Sequence, residues 1–122
     1  MPCQTFPVEM VRDVPVVAAP EEIDIANAAG LEAALVAAAS GGHGRFVADM
    51  TSTRFCDSSG ISALVVAQRH ALQEGSQLVL AVSPAVLRLL TLTGLDGVIP
   101  HFTTLEEAIG HAVTDGPPRE FP

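Results

Sequence analysis

The sequence Arg54–Ile61, RFCDSSGI, changes from the pattern of a strand to the pattern of a helix. Before it, Arg45–Thr51 combines β-branched, aromatic and apolar residues without glycine or proline, which favours a buried strand. After it, apolar residues recur at helical spacing from Ile61 onwards. We therefore expect a loop here that joins the end of a strand to the start of a helix.

Three residues of this loop carry side-chain oxygens that can cap the helix. Asp57, Ser58 and Ser59 are residue types whose oxygens accept hydrogen bonds from the unpaired N–H groups of a first helical turn. The same N–H groups and the helix dipole also favour negative charge, so a phosphate on a hydroxyl here would be well solvated. From the residues alone, a helix cap is the favoured interpretation and a phosphorylation site is the alternative.

The composition predicts one compact domain. A chain of 122 residues is long enough for one sizeable core. Hydrophobic residues make up 48% of the chain but aromatic residues only 4%, so the core is expected to consist of Ala, Val, Leu and Ile. We predict a flexible N-terminus at residues 1–7, a domain at residues 8–114 and a disordered tail at residues 115–122.

The charge and the chain's start limit the possible partners. A net charge of −8 argues against nucleic acid and anionic membranes as partners and favours a protein or a small ligand. No run reaches the roughly 18 apolar residues of a membrane span, and the first five residues lack the basic start of a secretory signal. We expect a cytoplasmic protein in which Cys3 and Cys56 are reduced thiols.

Periodicity and turn signals predict strands that alternate with helices. The expected elements are strands at 8–11 and 14–19 with Pro15 at a sheet edge or bulge, a helix at 25–40 capped by Asp24, a strand at 45–51, a helix at 58–73, a strand at 77–82, a helix at 84–92 after Ser83, an edge strand at 98–102 and a last helix after the capping box of Thr104 and Glu107. This order predicts an α/β fold with a mixed sheet, in which sites lie where strand ends lead into helix starts.

The helix predicted at residues 58–73 has an apolar face and a mostly polar face. The residues expected to face the core are Ile61, Leu64, Val65 and Leu72, and the expected exposed row is Ser62, Val66, Arg69 and Gln73. An exposed Val66 would be a weak sign of a contact surface.

Several motifs for catalysis or metal binding are missing. Neither serine of the loop has the glycine two residues earlier that hydrolases with Gly-x-Ser-x-Gly carry. The histidines and cysteines have no metal-ligand spacing, and GGHG at residues 41–44 enters a strand, unlike a phosphate loop. We predict no catalytic residue, metal or cofactor, and a hydrolase that uses Ser58 or Cys56 is a remaining alternative.

Three segments together resemble the STAS domain of bacterial anti-sigma-factor antagonists. They are FCDSSGI at residues 55–61, SPAVLRLL at 83–90 and TGL at 93–95, which follow one another at the spacing of that family. The resemblance implies a STAS-like single α/β domain with a mixed β-sheet, helices packed mainly on one face and no catalysis of its own.

In that family, the first serine after the aspartate is phosphorylated by a partner that is both anti-sigma factor and serine kinase. A serine phosphatase that depends on metal reverses the modification. The resemblance implies that Ser58 is the acceptor, that Asp57 borders its hydroxyl, that Ser59 and Gly60 open the helix, and that Asp24 contacts the partner. An unmodified Ser58 would pack in the interface, whereas a phosphate adds about −1.5 to −2 charges and would release the partner.

Three exposed positions on the same helix complete the predicted partner surface: Ser62, Val66 and Arg69. Many family members have glycine where this chain has Ser62 and Val66, so we expect these side chains to influence which kinase fits. The alternative within the same fold is a STAS scaffold or subunit of another complex, such as a lipid-transport or signalling assembly, in which Ser58 only caps the helix.

Overall fold

The computed structural model describes residues 6–42 and 44–113. Most of the predicted flexible N-terminus and the whole predicted tail at 115–122 lie outside these residues. Within the described part, Phe6 packs against the core, and the Pro7 carbonyl accepts a hydrogen bond of 3.1 Å from the Ala18 N–H.

Strands and helices alternate along the chain, as predicted. The elements are β1 (Val8–Val11), β2 (Val14–Ala18), β3 (Glu22–Ile23), α1 (Ala28–Ala39), β4 (Arg45–Met50), β5 (Phe55–Cys56), α2 (Ser58–Gln73), β6 (Gln77–Val82), α3 (Pro84–Thr93), a 3₁₀ turn (Leu95–Gly97), β7 (His101–Phe102) and α4 (Leu105–Ala112). Among the described helices, none is both long and apolar enough to cross a membrane.

The main sheet is mixed, in agreement with the prediction. Its five strands lie in the order β1-β2-β4-β6-β7, with β1 antiparallel to β2 and the remaining neighbours parallel. A second sheet consists only of β3 and β5, which are parallel and two residues long. Its strand β5 lies directly before α2 in the chain, so the pairing of β5 with β3 positions the start of that helix.

The opening hairpin forms one edge of the main sheet. Arg12 and Asp13 have φ values of 53° and 66°, the left-handed pair that a two-residue hairpin turn requires. The register is continuous from Val8↔Val17 to Val11↔Val14, so the strand carries no bulge. Pro15 precedes Val16, where pairing with β4 begins, so its missing N–H interrupts no rung of that ladder.

Both faces of the sheet are covered, one by three helices and the other by one. Alternate strand residues such as Phe46, Leu78 and Leu80 pack with α1, α2 and α3. Their neighbours Val47 and Val79 pack with α4. The prediction that helices lie mainly on one face is confirmed.

The first helix begins later than predicted. The Asp24 carboxylate accepts from the Ala26 N–H at 2.9 Å, and the Asp24 carbonyl accepts from the N–H groups of Asn27 and Ala28 at 3.1 and 2.9 Å. These bonds form a separate turn, after which α1 starts at Ala28. The prediction that Asp24 caps a helix at 25–40 is wrong, because short polar side chains stabilise turns as readily as helix starts.

Helix α2 has the predicted bounds but a different buried face. Leu64 is fully buried and Ile61 packs against the core, whereas Leu72 is 50% exposed, so its predicted core position is wrong. The residues that α2 buries are Gly60, Ala63, Leu64, Ala67, Gln68 and Ala71. Most of them are small, and small side chains allow α2 to pack closely against α1 and the sheet.

Gln68 forms hydrogen bonds with the backbone of β6. Its Nε2 donates to the Leu78 carbonyl at 3.0 Å, and its Oε1 accepts from the Leu78 N–H at 2.9 Å. The edge strand β7 pairs only with Leu80 and Ala81, since the predicted strand at 98–102 is reduced to its last two residues. Gln68 thus satisfies the N–H and carbonyl of Leu78, which β7 does not reach.

Candidate functional site

The loop before α2 is held in place by the pairing of β3 with β5. Glu22 lies opposite Phe55 and Ile23 opposite Cys56, and the Asp57 N–H donates to the Ile23 carbonyl at 3.0 Å. Asp24 follows β3 and Asp57 follows β5, so the pairing of these two strands brings two acidic residues that are distant in sequence to the same end of the small sheet.

Asp57 is the N-cap of α2. Its carboxylate oxygen accepts from the N–H groups of Ser59 and Gly60 at 2.9 and 3.2 Å, and also from the Ser59 hydroxyl. The hydrogen bond from that hydroxyl, together with the two from the backbone, holds the pKa of the Asp57 carboxyl below its usual value. Asp57 is therefore a fixed negative charge at neutral pH.

Ser58 differs from its two neighbours in having no bonding role. It occupies the first position of α2 and is exposed. Its hydroxyl makes no hydrogen bond with any residue in the ranges 6–42 and 44–113, whereas the Ser59 hydroxyl donates to Asp57. Asp57 and Ser59 together cap the helix, which leaves the Ser58 hydroxyl available to solvent.

Gly60 allows the start of α2 to lie against the small sheet. A Cβ atom at this position would lie 2.5 Å from Cys56 Sγ and 2.6 Å from Ile23 Cγ2, distances that real Cβ atoms do not adopt. Gly60 itself is buried. Its place in the site is therefore beneath the surface, where it sets the distance between α2 and β5.

The Cys56 thiol is shielded from reaction. The residue is 4% exposed, and burial, followed by the nearby charge of Asp57, raises the pKa of its thiol to about 11. Because the thiolate is the reactive form, a protonated buried thiol is a poor nucleophile. Across the described residues, no group of three or more His, Cys, Asp and Glu side chains could hold a metal ion.

The exposed row predicted on α2 is present. Ser62, Val66, Arg69 and Gln73 are all exposed, and Val66 is 40% exposed. The predicted site residues therefore form two groups: Asp24, Asp57, Ser58 and Ser59 lie at the start of α2, and Ser62, Val66 and Arg69 continue along it.

Two apolar residues next to this site were missed from sequence. Ile25 is 84% exposed in the turn that Asp24 begins, and Phe55 is 53% exposed on β5. The helix predicted at 25–40 includes Ile25, whereas α1 begins at Ala28. The position of Ile25 between Asp24 and Asn27, two residues that favour turns, was the available signal.

A comparison with protein-family models matches residues 6–104 to the family described as "Mlab, STAS domain". The chain belongs to the STAS-domain family. The STAS resemblance that the loop and the later segments indicated is thereby confirmed. A search of curated proteins finds no match.

Solved structures of STAS domains have the same fold. An anti-sigma factor antagonist from Mycobacterium paratuberculosis is 31% identical, with a TM-score of 0.78 over 90% of this chain and 94% of that one. An anti-sigma-factor antagonist (STAS) domain protein from Planctomyces limnophilus is 22% identical, with a TM-score of 0.80 over 91% of this chain and 100% of that one.

The third structure is the Bacillus cell fate determinant SpoIIAA in its phosphorylated form. It is 24% identical, with a TM-score of 0.65 over 88% of this chain and 98% of that one. At this identity the likeness concerns the fold, and it agrees with the mixed five-strand sheet and four helices of this STAS domain.

Proposed function

We propose that this STAS domain is an anti-sigma-factor antagonist whose binding is switched by phosphorylation of Ser58. Unmodified, it binds a cytoplasmic anti-sigma factor that is also a serine kinase, and so frees a sigma factor for transcription. Phosphorylation of Ser58 releases the partner, and a serine phosphatase restores binding. The domain itself catalyses no reaction.

The observation that carries this proposal is the unused hydroxyl of Ser58. A serine that capped α2 would be needed for stability, but Asp57 accepts the bonds of the first turn and Ser59 supports Asp57. An exposed hydroxyl without a partner among the described residues is accessible to a kinase, and its modification breaks no bond of the fold.

The surrounding charge explains how a phosphate would act on binding. The first N–H groups of α2 and its dipole can solvate a phosphate in the free domain. Asp57 already places negative charge next to Ser58, and Asp24 follows the strand that pairs with β5. A phosphate adds about −1.5 to −2 charges there, which a docking partner would have to desolvate. A cost of a few kcal/mol weakens binding by roughly 10² or more.

The relatives support the same function. The Mycobacterium antagonist is similar over nearly its whole length, and SpoIIAA is a member of the fold that exists in a phosphorylated form. The proposed partner surface continues from Ser58 along one side of α2. It consists of the exposed residues Ser62, Val66 and Arg69.

Mass spectrometry of the protein from its native cells tests the modification. We expect a mass increase of one phosphate, with fragmentation across residues 55–69 placing it on Ser58. The Ser59→Ala variant is the matched control and should still be phosphorylated, whereas Ser58→Ala should not. Unmodified protein under growth, stress and stationary conditions would contradict the proposal.

Binding to the partner tests the switch. Ser58→Ala should keep the fold and retain the anti-sigma factor constitutively, and Ser58→Asp should bind roughly 10²-fold more weakly. Equal affinities of the two variants for the same anti-sigma factor would refute a switch at this residue.

A second candidate is a STAS subunit of another complex, such as a lipid-transport or signalling assembly, without a switch. The observation in its favour is the description of the matching family model, which names Mlab. In that case the protein would co-purify with a transporter ATPase, and Ser58→Asp and Ser58→Ala would be recovered in that complex equally.

A further inference from the structure

A pocket separate from the exposed row of α2 lies between β5 and α3. Its volume is about 510 Å³, and its lining includes Arg54, Phe55 and Cys56 from one side and Arg88 and Leu89 from the other. Cys56 is two residues from Ser58, so the pocket adjoins the start of α2. None of its lining residues belongs to the partner surface predicted from sequence.

The charge offered by this pocket comes from Arg88. The chain has a net charge of −8 and only six basic residues, yet two arginines line this pocket. The Arg54 guanidinium is directed to Glu21 and Glu22, at 3.4 and 3.7 Å. Within the described part of the chain, no carboxylate lies within 4 Å of the Arg88 guanidinium, which is exposed.

The remaining lining is apolar and suits a protein ligand. Phe55 exposes 53% of its surface although it lies on a strand, and Leu89 is half-buried beside it. Aromatic and arginine side chains around a concavity are the composition of energetically important interface residues. An apolar side chain could rest on Phe55 and Leu89 while an acidic one reaches Arg88.

We propose that this pocket docks a segment of a partner protein in which a carboxylate side chain is next to an apolar one. The carboxylate pairs with Arg88, and the apolar side chain contacts Phe55 and Leu89. The identity of that partner as an anti-sigma factor rests on the proposed function. The recognition itself depends only on the chemistry of the pocket and can be measured without the partner.

The test is an NMR titration of the full chain, labelled with ¹⁵N, with two capped peptides of sequence Gly-Leu-Glu-Gly and Gly-Leu-Gln-Gly. We expect amide shifts at Phe55, Cys56 and residues 85–89 with the Glu peptide at millimolar concentration. Its apparent affinity should exceed that of the Gln peptide about threefold, the range of an exposed ion pair.

Two variants identify the residue responsible. Arg88→Gln should abolish the preference for the Glu peptide, whereas Arg12→Gln makes the same charge change in the hairpin turn, outside this pocket, and should preserve it. Absence of pocket shifts with the Glu peptide, equal binding of both peptides, or an unchanged preference in Arg88→Gln would each overturn the proposal. Because no outcome depends on Ser58, failure of the phosphorylation switch would be seen separately.

Discussion

Replacing Gly60 with alanine should destabilise the domain, although the same change usually stabilises a helix. The added Cβ would meet Cys56 Sγ at 2.5 Å and Ile23 Cγ2 at 2.6 Å, and both side chains are buried and short. Such overpacking costs about 1–3 kcal/mol, against a gain of up to about 1 kcal/mol in helix propensity. We expect a net loss of about 1–2 kcal/mol in the free energy of unfolding.

Gly110 provides the matched control. It lies in α4, and a Cβ there would meet nothing within 4 Å, so Gly110→Ala should stabilise the protein by about 0.5–1 kcal/mol. Urea unfolding followed by circular dichroism measures both variants.

A second variant tests the contact itself. Cys56→Ala removes one of the two atoms that the new Cβ meets, so the cost of Gly60→Ala should be smaller in that background, with the Ile23 contact remaining. If Gly60→Ala is as stable as Gly110→Ala, the close approach of α2 to the small sheet does not limit this position and the packing argument fails.

Three further predictions concern Ser83, which caps α3, and the site residues Asp57 and Cys56. Ser83→Ala should lower the free energy of unfolding in urea by about 1–2 kcal/mol. The reason is that the buried Ser83 hydroxyl donates to the Thr53 carbonyl at 2.6 Å and accepts from the Val86 N–H at 3.2 Å. Thr91→Ala removes an exposed hydroxyl as a control, and a loss in Ser83→Ala no larger than in that variant would contradict the prediction. Asp57→Asn should be less stable than the parent at neutral pH. The folded-state pKa of Asp57 is lowered, so its charge contributes stability above the unfolded pKa, and this stability is lost as pH falls through the folded pKa. The unfolding free energies of parent and variant should therefore converge below about pH 4. A constant difference between them down to about pH 2 would refute the role of the Asp57 charge. In a Cys3→Ser background, the Cys56 thiol with its pKa of about 11 should react with a disulfide reagent at pH 8 far more slowly in the native than in the urea-unfolded protein, and equal rates would show that it is accessible.

Elements with a clear period were predictable from sequence, and contacts between distant segments were not. The bounds of α2 and β6 agree with their patterns of apolar residues, and Ser83 caps α3 as its Ser-Pro start indicates. The strands β3 and β5 are two residues long and exist only through pairing with each other, so neither has a period to detect.

The predicted core position of Leu72 is wrong because the spacing of large apolar residues does not mark the buried face of α2. Alanines and a glycine form most of that face, and their small size is what close packing requires there. At the site, the position of Asp57 before the helix predicted a cap, but the division of roles between Ser58 and Ser59 depends on where each hydroxyl points.

The bonds of Gln68 to Leu78 also affect how the domain behaves among other chains. A strand whose N–H and carbonyl groups are unpaired can recruit a strand from another molecule, and this is a common route to aggregation. On β6 those groups are occupied by one amide side chain, which imitates the hydrogen bonds of a neighbouring strand without supplying a backbone that could extend further. The short β7 can therefore be tolerated beside the six buried residues of β6, because an intruding chain would first have to displace Gln68, which α2 buries.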